Sequence, residues 1–99
     1  MERGGTVYII TNKHHTVFYV GVTSELVYRI IEHRDKFYPK SFSAKYNVSK
    51  LVYYEHFASI KEAIEREKYL KGKVRKFKLD LIETMNPEWR DLAEDVLKW

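Results

Sequence analysis

Two strand-like runs joined by a short polar loop, with a helix directly after them, constrain this chain more than any other feature. The runs are Val7 to Thr11 and Val17 to Val22, rich in β-branched and aromatic residues. Asn12-Lys13-His14-His15 between them has hairpin length. Pairing Thr11 with Thr16 sets Tyr8 directly opposite Tyr19, so both point to one face. The other face carries Val7, Ile9, Phe18, Val20 and Val22 and is the better core face. A one-residue slip would separate the tyrosines. Gly21 is expected where the second strand ends and the backbone turns. Thr23 or Ser24 can cap the helix that follows, with Glu25 in its first turn. Leu26, Ile30 and His33 form one stripe of that helix, widened by Val27 and Ile31. Arg29 and His33 lie one turn apart at the stripe's edge. Taken alone, Arg29 reads as a solvated cation and His33 as a surface histidine.

The stretch Asp35 to Asn47 reads as a loop in which Phe37, Tyr38, Pro39, Phe42 and Tyr46 alternate with lysines and serines. Such aromatics either pin a loop to the core or touch bases. Lys50 to Phe57 is a third strand. Ser59-Ile60-Lys61-Glu62 matches a capping box for a helix running to about Lys71, with Gly72 as its stop. Ile60, Ala63, Ile64 and Leu70 are its apolar positions, and Glu67 interrupts their series. A partly buried carboxylate needs a cation, a donor or a proton. Pairing with Arg29, Arg66 or Lys71 is one answer and a divalent metal is another. Lys73 to Thr84 reads as a helix burying Val74, Phe77 and Leu81. Asn86-Pro87-Glu88 then looks like the start of a fourth, whose stripe is Trp89, Leu92, Ala93, Val96 and Leu97. The expected fold is one α+β domain over residues 1–99, a three-stranded antiparallel sheet with helices around it, in the order β-β-α-β-α-α-α.

Composition narrows the function classes. The chain has no cysteine, which excludes disulfides and thiolate chemistry. No apolar run reaches membrane length and no signal-peptide core is seen, so a cytoplasmic protein is expected. The net charge of +4 is concentrated. Residues Arg66 to Lys78 hold seven cations and one acid, while the rest of the chain is net acidic. That run, with Lys68, Lys71, Lys73, Arg75, Lys76 and Lys78, suits either a polyanion partner or a solvated helical face. No acid is placed to orient a histidine for a serine triad. His14-His15 is poor metal spacing, and no glycine-rich phosphate loop is present. Two tyrosines, an arginine, a histidine and a misplaced glutamate remain, a set suited to phosphodiester hydrolysis.

Tyr8 and Tyr19 are 11 apart, Tyr19 and Arg29 are 10 apart, and Arg29 and His33 are 4 apart. With Thr6-Val7-Tyr8 and Tyr19-Val20-Gly21, these intervals resemble the GIY-YIG nuclease family. The ending EREKYLKG…KFKLDLIETMNPEWRDL resembles its small single-domain bacterial branch, related to the N-terminal nuclease domain of excinuclease C. The resemblance implies a Mg2+-dependent (or Mn2+-dependent) endonuclease on DNA, with little sequence preference or a preference for branched or damaged DNA, in repair or recombination. Tyr8, Tyr19 and Arg29 fall on the family's motif positions, Glu67 on its metal-binding glutamate, and His33 on a histidine that several members use. By that resemblance Glu67 holds one metal ion, Arg29 binds the phosphate, and Tyr8 acts as base or positions water with Tyr19 and His33 assisting. A phenol with an ordinary pKa near ~10 is a poor base at neutral pH, so its pKa must fall or its proton must be passed on. Thr6-Val7 replaces the family's Gly-Ile. Val22 stands where some members place a lysine, for which Lys13, His14 or His15 could substitute. Competing expectations are a non-cleaving nucleic-acid-binding module of the same fold, and a small interaction protein dimerising through its last helix. The expected assembly is a monomer or weak homodimer.

Overall fold

The first strand, β1 (Gly5–Thr11), is buried at every position. A strand in that state needs a partner on each edge and cover on both faces. The structure, a computed structural model that describes residues 4–35 and 48–98, supplies all four. β2 (Phe18–Thr23) and β3 (Lys50–Phe57) flank β1, both antiparallel, in the order β2-β1-β3. The expected three-stranded antiparallel α+β fold is therefore found. Of the loop expected over Asp35 to Asn47, Asp35 is the last residue of the first helix, and the rest, with its aromatics and lysines, lies outside the described residues.

The hairpin register differs from the expected one by two residues. Thr11 faces Phe18, Ile10 faces Tyr19 and Tyr8 faces Gly21. The cause is Asn12, whose side chain organises a longer loop. Its Oδ1 accepts from the backbone N–H groups of Thr16 (2.8 Å) and Val17 (3.2 Å), and its Nδ2 donates to Thr16 Oγ1 at 2.7 Å. His15 adopts a left-handed φ of 56° within this loop. Residues 12–17 thus leave the ladder. A shift of two preserves the alternation, so Tyr8 and Tyr19 still share a face, related diagonally with ring centroids 6.4 Å apart. Gly21 does not end the strand, as expected from sequence; it lies inside β2.

Both faces of the sheet are core faces, not the Val7 face alone. Val7, Ile9, Val20, Val52 and Tyr53 pack under α2 (Ile60–Lys71) and α3 (Arg75–Met85) through Ala63, Leu70 and Ile82. Tyr8, Ile10 and Leu51 pack under α1 (Leu26–Asp35) and α4 (Ala93–Val96) through Leu26, Ile30, Ala93 and Val96. A bulge between Ile9 and Ile10 in the β1–β3 ladder explains why the consecutive residues Val52 and Tyr53 enter the same cluster.

The helices begin and end for local reasons. Thr23 Oγ1 accepts from Glu25 N–H at 3.0 Å just before α1, so Glu25 precedes the first turn instead of lying in it. Ser59 caps α2 by accepting from Lys61 N–H at 3.2 Å. α2 sits close on β1 because Gly5 has no side chain. A Cβ there would lie 2.6 Å from Ile60 Cδ1 and 2.9 Å from Ala63 Cβ. α3 starts at Arg75, two residues later than expected. Val74 is its extended N-cap residue and is 73% exposed, not buried; Ile82 takes the fully buried place, with Phe77 and Leu81 half-buried.

The segment from Asn86 is not the start of a long helix. Asn86 instead caps α3 and is nearly buried. Its Nδ2 donates to the carbonyls of Arg90 (2.8 Å) and Val52 (3.3 Å), and its Oδ1 accepts from Arg90 N–H at 3.0 Å. Those bonds hold a turn in which Trp89 has a φ of 55° and stacks on His15 with centroids 4.6 Å apart. Leu92 N–H then donates to Leu51 O at 2.8 Å, closing the outer edge of β3 there. Leu92, Ala93 and Val96 are buried against the tyrosine-bearing face, so this stripe packs within the chain, and the alternative of a dimer contact loses these three residues.

Gly21 and Gly72 make a matched test. A Cβ on Gly21 would overlap the Tyr8 hydroxyl and lie 2.9 Å from Tyr19 Cε1, whereas one on Gly72 meets only backbone oxygens at 3.6 and 3.7 Å. Gly72 also has an ordinary right-handed φ of −80°. Gly21→Ala is expected to destabilise by roughly 2–4 kcal/mol and Gly72→Ala to stabilise by about 0.4–1 kcal/mol. Denaturant midpoints of the two variants check this.

Candidate active site

The alternation of β1 and β2 brings Tyr8 and Tyr19 to the face that α1 covers. α1 presents Arg29 and His33 to them from successive turns. The Tyr8 hydroxyl is the centre of the arrangement. It lies 3.0 Å from His33 Nε2, and Arg29 Nε donates to it at 3.4 Å. The His33 ring meets the Tyr8 and Tyr19 rings edge-on, with centroids 5.8 and 5.9 Å away. Four of the five expected site residues thus converge. His33 is buried, not the surface histidine of the ordinary reading.

Arg29 can only donate, so the Tyr8 oxygen accepts from it; the bond to His33 runs from the Tyr8 hydroxyl when Nε2 carries no proton. That requires a neutral imidazole. Burial, reinforced by the Arg29 charge, lowers His33 from 6.5 to about 4. Burial likewise pushes the Tyr8 phenol up to about 12, only partly opposed by the Arg29 hydrogen bond. The proton therefore rests on Tyr8, beside a neutral imidazole.

Glu32 also belongs to this cluster, although nothing in the sequence singles it out. Its carboxylate lies 3.7 Å from Arg29 Nη1, and its side chain is only 15% exposed. Arg29 is thereby held at both ends, by Tyr8 and by Glu32, with its side chain still 35% exposed. The signal available is the three-residue spacing from Arg29, which any helical ion pair shares.

Glu67, the fifth expected residue, comes from α2. Its ion pair is with Lys71, at 3.3 Å, and its side chain is 16% exposed. Among the alternatives left open by sequence, Lys71 is the partner; the ion pair of Arg29 runs to Glu32, and that of Arg66 to Glu55. Lys71 Nζ also lies 5.9 Å from the Tyr19 ring centroid, which links α2 to the tyrosines. A lysine does approach the tyrosine pair, then, but from α2 and not from the hairpin loop. His15 is occupied by Trp89 and by Lys50, whose Nζ lies 3.0 Å from its Nε2. Lys13 and His14 line a separate cleft of about 560 Å³ with Thr11, Ser49, Lys50 and Asp91.

Glu67 suits a hard divalent cation. Mg2+ keeps several waters and takes one or two protein carboxylates, completing its shell from phosphate oxygens. Among the described residues no group of three histidine or acidic side chains is placed to chelate a metal by itself, so Glu67 would hold such an ion together with substrate. The departures from the family motif are structural. Thr6 and Val7 are buried, and Thr6 Oγ1 lies 3.0 Å from His56 Nδ1.

Of the six expected nucleic-acid contacts, Lys68, Lys71, Lys73 and Lys76 are exposed and Lys78 is half-buried. Arg75, also exposed, donates to the carbonyls of His15 (2.9 Å) and Thr16 (3.1 Å), which ties the hairpin loop to α3.

The buried neutral histidine has a consequence for stability. His33 binds a proton more weakly folded than unfolded. Its contribution is therefore fully present above about pH 6.5 and is lost as pH falls toward about 4. Stability is expected to fall by at most about 1.4 kcal/mol per pH unit in that window, the slope of one proton. His33→Gln should flatten the slope, as read from urea midpoints between pH 7.5 and 4.

Comparison with known proteins agrees with this geometry. The family model for the GIY-YIG catalytic domain matches residues 4–80. The chain is similar in structure to the UPF0213 protein BH0048 from Bacillus halodurans, solved by solution NMR, with a TM-score of 0.57 and 24% identity over 89% of this chain and 92% of that one. At that identity the likeness carries the fold. No curated protein matches the sequence significantly. The match of most of the chain to the family model, on the strands and helices that carry Tyr8, Tyr19, Arg29, His33 and Glu67, places this protein in the GIY-YIG catalytic-domain family.

Proposed function

We propose that the chain is a Mg2+-dependent endonuclease that hydrolyses DNA phosphodiester bonds with little sequence preference. The observation that carries this reading is the Tyr8 hydroxyl held between a guanidinium and a neutral imidazole, on a face shared with Tyr19. In the proposed step a water oxygen attacks phosphorus as the bond to the sugar oxygen breaks. The water proton passes to the Tyr8 oxygen while the Tyr8 proton moves to His33 Nε2. The proton is passed on, so the phenol need not ionise first. Arg29, already aimed by Tyr8 and Glu32, offers its remaining N–H donors to the phosphate. A divalent cation held by Glu67 would supply charge neutralisation at the phosphate and the leaving oxygen. The cations of residues 66–78 add sequence-independent attraction to the backbone.

Glu67→Gln keeps the volume and removes the charge. Because Glu67 pairs with a Lys71 side chain that is half exposed, the change should cost no more than about 1 kcal/mol of stability. Nicking of supercoiled DNA with Mg2+ should nevertheless fall by at least about 100-fold, with DNA binding retained. A wild-type protein that binds DNA and does not nick it would make the chain a binding module. A second measurement addresses the cationic run. Replacing Lys68 and Lys76 with Ala is expected to reduce the slope of log K against log salt by about 0.9 for each phosphate no longer neutralised. An unchanged slope would leave these residues as a solvated face.

A further inference from the structure

Lys73 and the face of α2 opposite the catalytic cluster form a second surface. Successive helical residues are about 100° apart, so Tyr69 projects from the side of α2 opposite Glu67, with the exposed Lys68 between them. Tyr69 is 45% exposed and lies between two cations, Arg66 at 5.1 Å and Lys73 at 4.5 Å from its ring centroid. Lys73 in turn lies 5.6 Å from the Phe77 ring, which meets Tyr69 edge-on at 5.9 Å. Arg75, two residues on, covers the Phe18 ring at 4.8 Å. Cations and rings thus alternate from α2 to α3, beside an exposed Val74. Arg66 is anchored beside the ring by its ion pair with Glu55, at 3.6 Å, and by the Tyr53 hydroxyl, with its side chain still 28% exposed.

The geometry points to a binding surface for unpaired DNA, with Tyr69 as a stacking platform for a base and Arg66, Lys68 and Lys73 as contacts to its phosphates. Duplex DNA buries its base faces in its own stack and gains nothing from an exposed ring, whereas an unpaired base gains the stacking that water denies it. Charge selects the same partner, because seven cations against one acid within residues 66–78 attract a polyanion. The aromatic component is what a purely electrostatic face would lack. Lys68 marks the path, since a strand leaving the catalytic cluster over the solvent side of α2 meets it before Tyr69. The inference rests on the nuclease reading for its substrate: the chain would act where a single-stranded segment adjoins the cleaved bond, as in a flap or fork.

The test compares a fluorescein-labelled single-stranded 20-mer with the matching duplex, by anisotropy in EDTA so that no cleavage intervenes. Tyr69→Ala is expected to weaken single-strand binding by roughly 5- to 100-fold and duplex binding by less than about two-fold, while Tyr69→Phe keeps both. Equal effects on the two DNAs, or no effect on the single strand, would overturn the proposal. Circular dichroism melts confirm folding of each variant, and Tyr69→Phe separates loss of the ring from loss of the hydroxyl. Nicking is assayed separately with Mg2+. Absent nicking with an intact Tyr69 effect would sink the nuclease reading alone, and nicking with no Tyr69 effect would sink this one alone.

Discussion

The contact between the Tyr8 ring and Gly21 sets most of this structure. Tyr8 is the largest fully buried side chain of the central strand, and its hydroxyl end lies over the one β2 position that carries no side chain. No other residue fits there, because even a methyl group would enter the phenol. The contact fits the register that Asn12 sets from the loop end, and alternation then puts Tyr19 on the same face. It also aims the hydroxyl at the helix above, where Arg29 and His33 wait. The glycine of the family's second motif thus has a spatial role at this position. It needs no left-handed backbone, only room for the tyrosine of the first motif.

The electrostatics of the cluster follow from the same burial. Desolvation disfavours every charged form, so it holds the proton on Tyr8 and keeps His33 neutral. The resting site is therefore a stable neutral pair beside an Arg29–Glu32 ion pair. Glu32 has a double effect here. It offsets the Arg29 charge that holds His33 down, and it also opposes ionisation of Tyr8.

What is legible in the sequence, and what is not, follows from the range of each signal. Period-two alternation needs only parity, so the shared face of Tyr8 and Tyr19 is readable even with the register wrong by two. The error comes from Asn12, whose side-chain bonds lengthen the loop in a way composition does not reveal. Asn86 misleads for a related reason. Asn before Pro and Glu signals a helix start, but here its amide is spent on buried carbonyls that only the fold brings near. Val74 fits the spacing of an apolar stripe that in fact begins after it. Glu67 is conspicuous because it breaks a pattern, whereas Glu32 breaks none and needs coordinates to be seen. Lys71 looks like any surface cation in sequence, and its approach to Tyr19 depends on how α2 crosses the sheet.

That crossing is set on the far side of β1. Gly5, Val7 and Ile9 face α2, while Tyr8 and Ile10 face α1. The close approach of Ile60 and Ala63 to Gly5 places α2, and with it Glu67 and Lys71 one and two turns further along. Tyr8 is three residues from Gly5 on the same rigid strand. One strand therefore serves as a common reference, its odd residues locating α2 and its even residues the phenol. Strand geometry tolerates little error, since residues advance by about 3.3 Å each and neighbouring strands lock the twist. A helix resting on a side chain at position 5 would ride higher, and Lys71 would move away from the Tyr19 ring with no change in any residue of the cluster. The small residue opposite α2 and the one opposite Tyr8 are thus two parts of one constraint, acting from the two faces of the sheet on the four clustered side chains and on the helix that brings Lys71 to Tyr19.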